Sequence, residues 1–120
     1  MVAAVALAAC GSGSAAAPTT TAPPPPDVLV QALDNTFRVQ DITVPVGTKV
    51  VWSNVGRNEH DVTPIVVDDA TEGAWGVAEA GFHPGDEHAH VFEHPGVYEY
   101  VCTIHGVNGK GMVGTVTVAG

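Results

Sequence analysis

A chain of 120 residues has room for one domain. It carries 13 Asp and Glu against 4 Lys and Arg, a formal charge of −9. That balance excludes a nucleic-acid binder, which needs a basic face, and favours basic protein partners. Every charged residue lies at or beyond Asp27, so the first 26 residues are a different kind of polypeptide from the rest.

Met1 to Ala9 are small and apolar, and too few to span a bilayer. They end in Leu7-Ala8-Ala9-Cys10, followed by Gly11 and Ser12, which looks like a bacterial lipobox. The expectation is an export signal over 1–9 and lipidation at Cys10. The usual opening Lys or Arg is absent, so the expectation is that the true start lies upstream of Met1 or that the chain is incomplete. Ser12 to Pro26 is Gly, Ser, Ala and Thr with Pro18 among them, closing on four prolines. It has no apolar periodicity with which to bury a core, so 10–26 is expected to be a disordered, semi-rigid tether. The protein is then expected on the outer face of the cell membrane or in the periplasm, held by acyl chains.

From Asp27 to Gly120 the pattern changes to short β-branched runs broken by Gly, Pro and Asn, which predicts one all-β sandwich domain. The strands expected in chain order are Val28–Leu33, Ile42–Val44, Thr48–Ser53, His60–Val67, Glu87–Phe92, Val97–Val101 and Val113–Val118. Turns fall at Pro45-Val46-Gly47, Pro84-Gly85-Asp86 and Pro95-Gly96. Asp68–Gly81 mixes Ala, Gly and acidic residues and has room for one helical turn. Alternation puts Val50 with Trp52 on one face, and Tyr98 and Tyr100 with Cys102. Met112 shares a face with Gly114, Val116 and Val118, and His60 with Val62. Four metal-binding side chains thereby stand at strand ends on inward positions.

The strongest motif is Cys102-Thr103-Ile104-His105 followed by Met112. A thiolate and an imidazole three apart can reach one ion from a tight loop. Met112 returns from the far end of that loop, and His60 comes from another. Two His, one Cys and a weak axial Met is the donor set of an electron-transfer copper site.

These residues resemble the cupredoxins, in particular small plastocyanin-like and halocyanin-like domains. The matching text includes Val50-Val51-Trp52-Ser53-Asn54 and Glu59-His60-Asp61-Val62. It continues through Tyr98-Glu99-Tyr100-Val101-Cys102-Thr103-Ile104-His105-Gly106 and Gly111-Met112-Val113-Gly114, and extends over nearly all of Phe37 to Val118. The resemblance implies a Greek-key β-sandwich of seven to eight strands and one type 1 copper ligated by His60, Cys102, His105 and Met112. It also implies single-electron transfer, with no enzymatic turnover, by a monomer serving redox partners such as a cytochrome or a copper oxidoreductase. Asn54 and Asp61 are expected just behind the ligands. Two departures stand out. The His105-to-Met112 loop is longer than in plastocyanins, which leaves the axial distance open. Asp61 follows the first histidine where many relatives carry Asn; its carboxylate can tie the two ligand loops together and favour Cu(II).

A copper carrier or storage module is the alternative to an electron carrier. Cys102 has a second reading as the disulfide partner of Cys10, and Met112 as a core methionine. His88 and His90 share a face with Phe92 and are expected to be hydrogen-bonded and half-buried rather than a second metal site. His83 and His94 flank turn prolines and are expected in solvent. Asp68, Asp69 and Glu72 form either a solvated loop or a docking patch for a basic partner. Trp75 and Phe82 are either a satellite cluster under that loop or an apolar rim near the site.

Overall fold

The structure, a computed structural model, describes residues 23–65, 72–107 and 109–120. Eight strands form two four-stranded sheets: β1 (Val28–Ala32), β2 (Phe37–Arg38), β3 (Asp41–Pro45), β4 (Thr48–Asn54), β5 (Thr63–Pro64), β6 (Glu87–Phe92), β7 (Gly96–Val107) and β8 (Lys110–Ala119). One sheet has the order β2-β1-β4-β6 and the other β3-β8-β7-β5. Every connection from β2 to β7 passes from one sheet to the other. This winding places β1 parallel to β4 and β3 parallel to β8, and every other strand pair is antiparallel. The expected all-β sandwich is the observed architecture.

Alternation builds the core as expected. On β4, Thr48, Val50, Trp52 and Asn54 are buried, and Lys49 points out. On β8, Met112, Gly114, Val116 and Val118 are buried between less buried neighbours. Tyr98, Tyr100 and Cys102 continue the buried row on β7. Aromatic rings fill the space between the sheets: Trp52 stacks on Trp75 at 5.8 Å between centroids and meets Tyr100 edge-on at 5.7 Å. Trp75 and Phe82 are both fully buried members of this main core, not a satellite cluster or a rim. Tyr100 lies directly over Gly114, its partner in the ladder, and a side chain there would collide with the phenol ring.

Two of the three expected turns fall where the sequence placed them, at Val46-Gly47 and Pro84-Gly85, whereas Gly96 opens β7 and the chain bends at His94 instead. Gly47 and Gly85 both take positive φ, +90° and +93°, which only glycine adopts without strain. Among the described residues of Asp68–Gly81, the foreseen helical turn is a 3-10 turn, Glu79–Gly81.

Two expectations about strands need correcting. The run from His60 to Val67 is not one strand. Val62 makes an isolated bridge to Val77, and only Thr63–Pro64 joins a sheet, against Val101 and Tyr100. His60 and Asp61 are taken out of the ladder by their contacts with the other ligand loop, and Pro64 has no N–H to offer a sheet. Residues 66 and 67 lie outside the described residues. The other correction is β2, unforeseen because a two-residue strand carries no periodicity.

Candidate metal centre

β1 and β4 run together from Val28–Val50 to Ala32–Asn54, and so bring the β1–β2 turn and the β4–β5 loop to the same end of the sandwich. The β4–β5 loop delivers His60. Asn54 shapes that loop: its Nδ2 donates to Asn58 O at 2.9 Å and Phe82 O at 3.0 Å, and its Oδ1 accepts from Gly56 N–H at 3.0 Å. His60 is fully buried at the loop's end.

The other donors come from the β7–β8 hairpin. Its ladder pairs Val101 with Val113, then resumes at Gly106 with Gly111. Four residues, Cys102 to His105, therefore bulge out opposite one, Met112. The bulge thus carries both Cys102 and His105, with Met112 as the residue opposite them in the ladder. Beyond it the hairpin closes again through Gly106–Gly111 and Val107–Lys110. The two chains approach so closely that a Cβ on Gly106 would lie 2.8 Å from Met112 N and 2.9 Å from Lys110 O. The extra length of the His105-to-Met112 loop is thus taken up as paired strand, with Gly109 and Gly111 at positive φ. It does not hang as a slack loop.

The donor atoms of His60, Cys102 and His105 all lie within 4.8 Å of one another. Cys102 Sγ is 3.7 Å from His60 Nδ1 and 3.9 Å from His105 Nδ1. A first-row ion bound at about 2.0–2.1 Å to nitrogen and about 2.3 Å to sulfur separates those donors by about 3.6–3.8 Å at tetrahedral to trigonal angles. The residues therefore fit a metal, and thiolate with two imidazoles fits copper. Cys102 and Met112 are fully buried, whereas His105 is half-buried and reaches the surface. Burial, with His105 beside it, pushes His60 below the ordinary histidine pKa against the pull of Asp34 and Asp61. It is a neutral ligand at neutral pH.

Asp61 joins the two loops. Its Oδ1 accepts from Thr103 N–H at 2.9 Å and Thr63 Oγ1 at 3.0 Å, and its Oδ2 accepts from the Thr103 hydroxyl. Two residues that sequence reasoning missed also face the site: Asp34, from the β1–β2 turn, and Gly56.

The other histidines find different partners. His83 Nδ1 meets Glu59 at 2.9 Å, His88 Nε2 meets Trp75 O at 2.8 Å, and His90 and His94 both hold Glu72. His88 and His90 are half-buried and hydrogen-bonded, as expected. His60, Cys102 and His105 are the one trio of His, Cys or acidic donors that converges among the described residues. Glu72 is tied to these histidines and not solvated; Asp68 and Asp69 lie outside the described residues, as does Cys10. Cys102 is a free, buried thiol.

Comparison with known proteins agrees with this geometry. The family model of copper binding proteins, plastocyanin/azurin family, matches residues 27–119. Among solved structures, a novel purple cupredoxin from Nitrosopumilus maritimus is 26% identical, covering 78% of this chain and 100% of that one, with a TM-score of 0.60. The Cu(I) form of an amicyanin variant is 25% identical over 78% of this chain and 82% of its own, with a TM-score of 0.64. No curated protein matches the chain. With the family matched over the whole sandwich and a soft donor set gathered at one end, the chain belongs to the plastocyanin/azurin family of copper binding proteins, small electron carriers whose cofactor is the copper this site is built to hold.

Proposed function

We propose that this protein passes single electrons between extracytoplasmic redox partners, using His60, Cys102, His105 and Met112 as the ligands of one type 1 copper. The observation that carries the reading is the three-donor cluster, with buried Met112 opposite two of the donors in the hairpin ladder and half-buried His105 reaching the surface. Copper bound there supplies a Cu(I)/Cu(II) couple. Cys102 provides the thiolate, and His60 and His105 provide imidazoles through Nδ1. Asp61 fixes one ligand loop against the other, so the donors move little between oxidation states. The half-buried His105 ring is the exit for the electron. Ile104 at 42% exposure and Val107 at 65% flank it with an apolar surface on which a partner can seat. The acidic balance of the chain favours partners that are basic away from that contact.

The N-terminal text supports a location outside the cytoplasm at a membrane surface: it reads as an export signal, a lipidation site at Cys10 and a proline tether.

The test is the absorption spectrum of the Cu(II)-loaded protein with voltammetry of the same sample. An intense visible thiolate-to-copper band and a reversible one-electron couple are expected. A colourless Cu(II) complex refutes the ligand set. A coloured protein without a reversible couple leaves the carrier or storage reading in its place.

A further inference from the structure

The nitrogen of His60 that faces away from Cys102 has no hydrogen-bond partner. Nδ1 points to Sγ at 3.7 Å, so a metal-bound His60 carries its proton on Nε2. That atom is buried and unsatisfied. Metal-bound histidines ordinarily give this second N–H to a carboxylate, a carbonyl or water, and the partner sets how strongly the ring donates to the metal.

The space beside Nε2 is kept open by Gly56. A Cβ added there would lie 3.1 Å from His60 Nε2 and 2.5 Å from Asp34 Oδ1. The carboxylate and the ring nitrogen thus flank one small space that any side chain at position 56 would fill. Gly56 does not have positive φ, so its backbone does not demand glycine. Asp34 is fixed in position: Oδ1 accepts from Arg57 N–H at 2.6 Å, which binds the β1–β2 turn to the ligand loop. Its pKa is held below the ordinary value chiefly by that backbone bond, so it is ionised at neutral pH.

We propose that Asp34 is the electrostatic partner of His60, a positioning residue whose charge, admitted by the missing side chain at Gly56, stabilises Cu(II) and holds the reduction potential down. The proposal rests on His60 being a copper ligand, as proposed above. Three other groups act on the same ring or carboxylate. Asp61 also acts on His60, but its oxygens are already given to Thr103 and Thr63. Arg57 adds a positive charge beside Asp34, and His105 adds its ring beside His60. Of the two acids, Asp34 is the one that shares an open space with the unsatisfied nitrogen.

The test compares copper-loaded wild type with Asp34→Asn and Asp34→Ala by voltammetry at neutral pH, with absorption spectra and unfolding of the metal-free proteins. Asn keeps an oxygen for Arg57 N–H and loses only the charge, whereas Ala loses both. The expected result is a shift of about tenfold toward Cu(I) in both variants, near 59 mV for one electron, with a stability loss in Ala alone. The proposal is overturned if Asp34→Asn stays within twofold of wild type, because Asp34 is then only a loop tie. A wild-type protein without the thiolate-to-copper band overturns the ligand set itself, and the spectrum shows that separately from any effect of Asp34.

Discussion

Asp61 holds Thr103 at two points: one carboxylate oxygen takes the Thr103 amide at 2.9 Å and the other takes its hydroxyl. Thr103 follows Cys102 and Asp61 follows His60, so one pair of side chains sets the spacing of two donors from different loops. Asp61 is 5% exposed, and its loss leaves the Thr103 N–H without its charged acceptor. Asp61→Ala is expected to destabilise the metal-free domain by about 2–3 kcal/mol in denaturant unfolding. Asp61→Asn keeps an acceptor for the amide and is expected to cost about 1 kcal/mol. Equal stability of wild type and the Ala variant would remove Asp61 from this role.

Cys102 and Cys10 are expected to behave independently. Cys102→Ser abolishes the visible band and most Cu(I) affinity, because the hydroxyl is a poor substitute for a thiolate. Cys10→Ser leaves the spectrum of the soluble domain unchanged and moves the protein out of the membrane fraction of cells. Loss of copper binding on changing Cys10 would revive a shared role for the two thiols. Unchanged membrane attachment would dismiss lipidation.

Glu72 couples stability to pH at the opposite end of β6. Its side chain is 2% exposed, and its oxygens accept from His90 Nε2 at 2.8 Å and His94 Nδ1 at 2.6 Å, with Glu93 N–H at 3.1 Å. Burial alone would raise its pKa, but the hydrogen bonds from His90, His94 and Glu93 outweigh it and hold the carboxyl below its ordinary 4.5. A carboxyl lowered by folding contributes stability above its unfolded pKa and loses it as pH falls through the folded value. Unfolding free energy should therefore drop as pH is taken below about 4.5. Glu72→Gln should cost about 1–3 kcal/mol at pH 7 and flatten that acid limb. Parallel pH profiles for the two proteins would show that the clamp contributes nothing.

What was legible in the chain depended on distance along it. Cys102, His105 and Met112 were readable because a strand's alternation and a short spacing carry their geometry locally. His60 was readable only through the Trp52-Ser53-Asn54 text ahead of it. Asp34 was invisible, since its place beside His60 exists only after β1 pairs in parallel with β4 and Ala32 meets Asn54. Gly56 read as an ordinary loop glycine, because its meaning lies in what it leaves empty. The run after His60 was overread as a strand because Val62 and Thr63 are β-branched, while the pull of Asp61 on Thr103 is a tertiary contact with no local signature. The longer His105-to-Met112 loop left the axial distance open for the opposite reason: its glycines signal freedom, but here they let two backbones pair.

Met112 is expected to tune the potential without deciding whether copper binds. Its place is set by the bulge, one residue facing the four that carry Cys102 and His105, and by the Gly106–Gly111 pairing just beyond. A thioether at an axial position adds little bond energy beside a thiolate and two imidazoles, so affinity rests on the other three donors. Met112→Leu nearly conserves volume and should cost less than about 1.5 kcal/mol of stability. It removes a weak donor and leaves a dry axial face, which disfavours Cu(II) more than Cu(I), so the potential rises. Met112→Gln places an oxygen there, which favours Cu(II), so the potential falls. Each tenfold change in the one-electron equilibrium reads as about 59 mV in voltammetry, well within reach of the measurement. If both variants keep the wild-type potential, Met112 is a core methionine and the copper is held by His60, Cys102 and His105 alone.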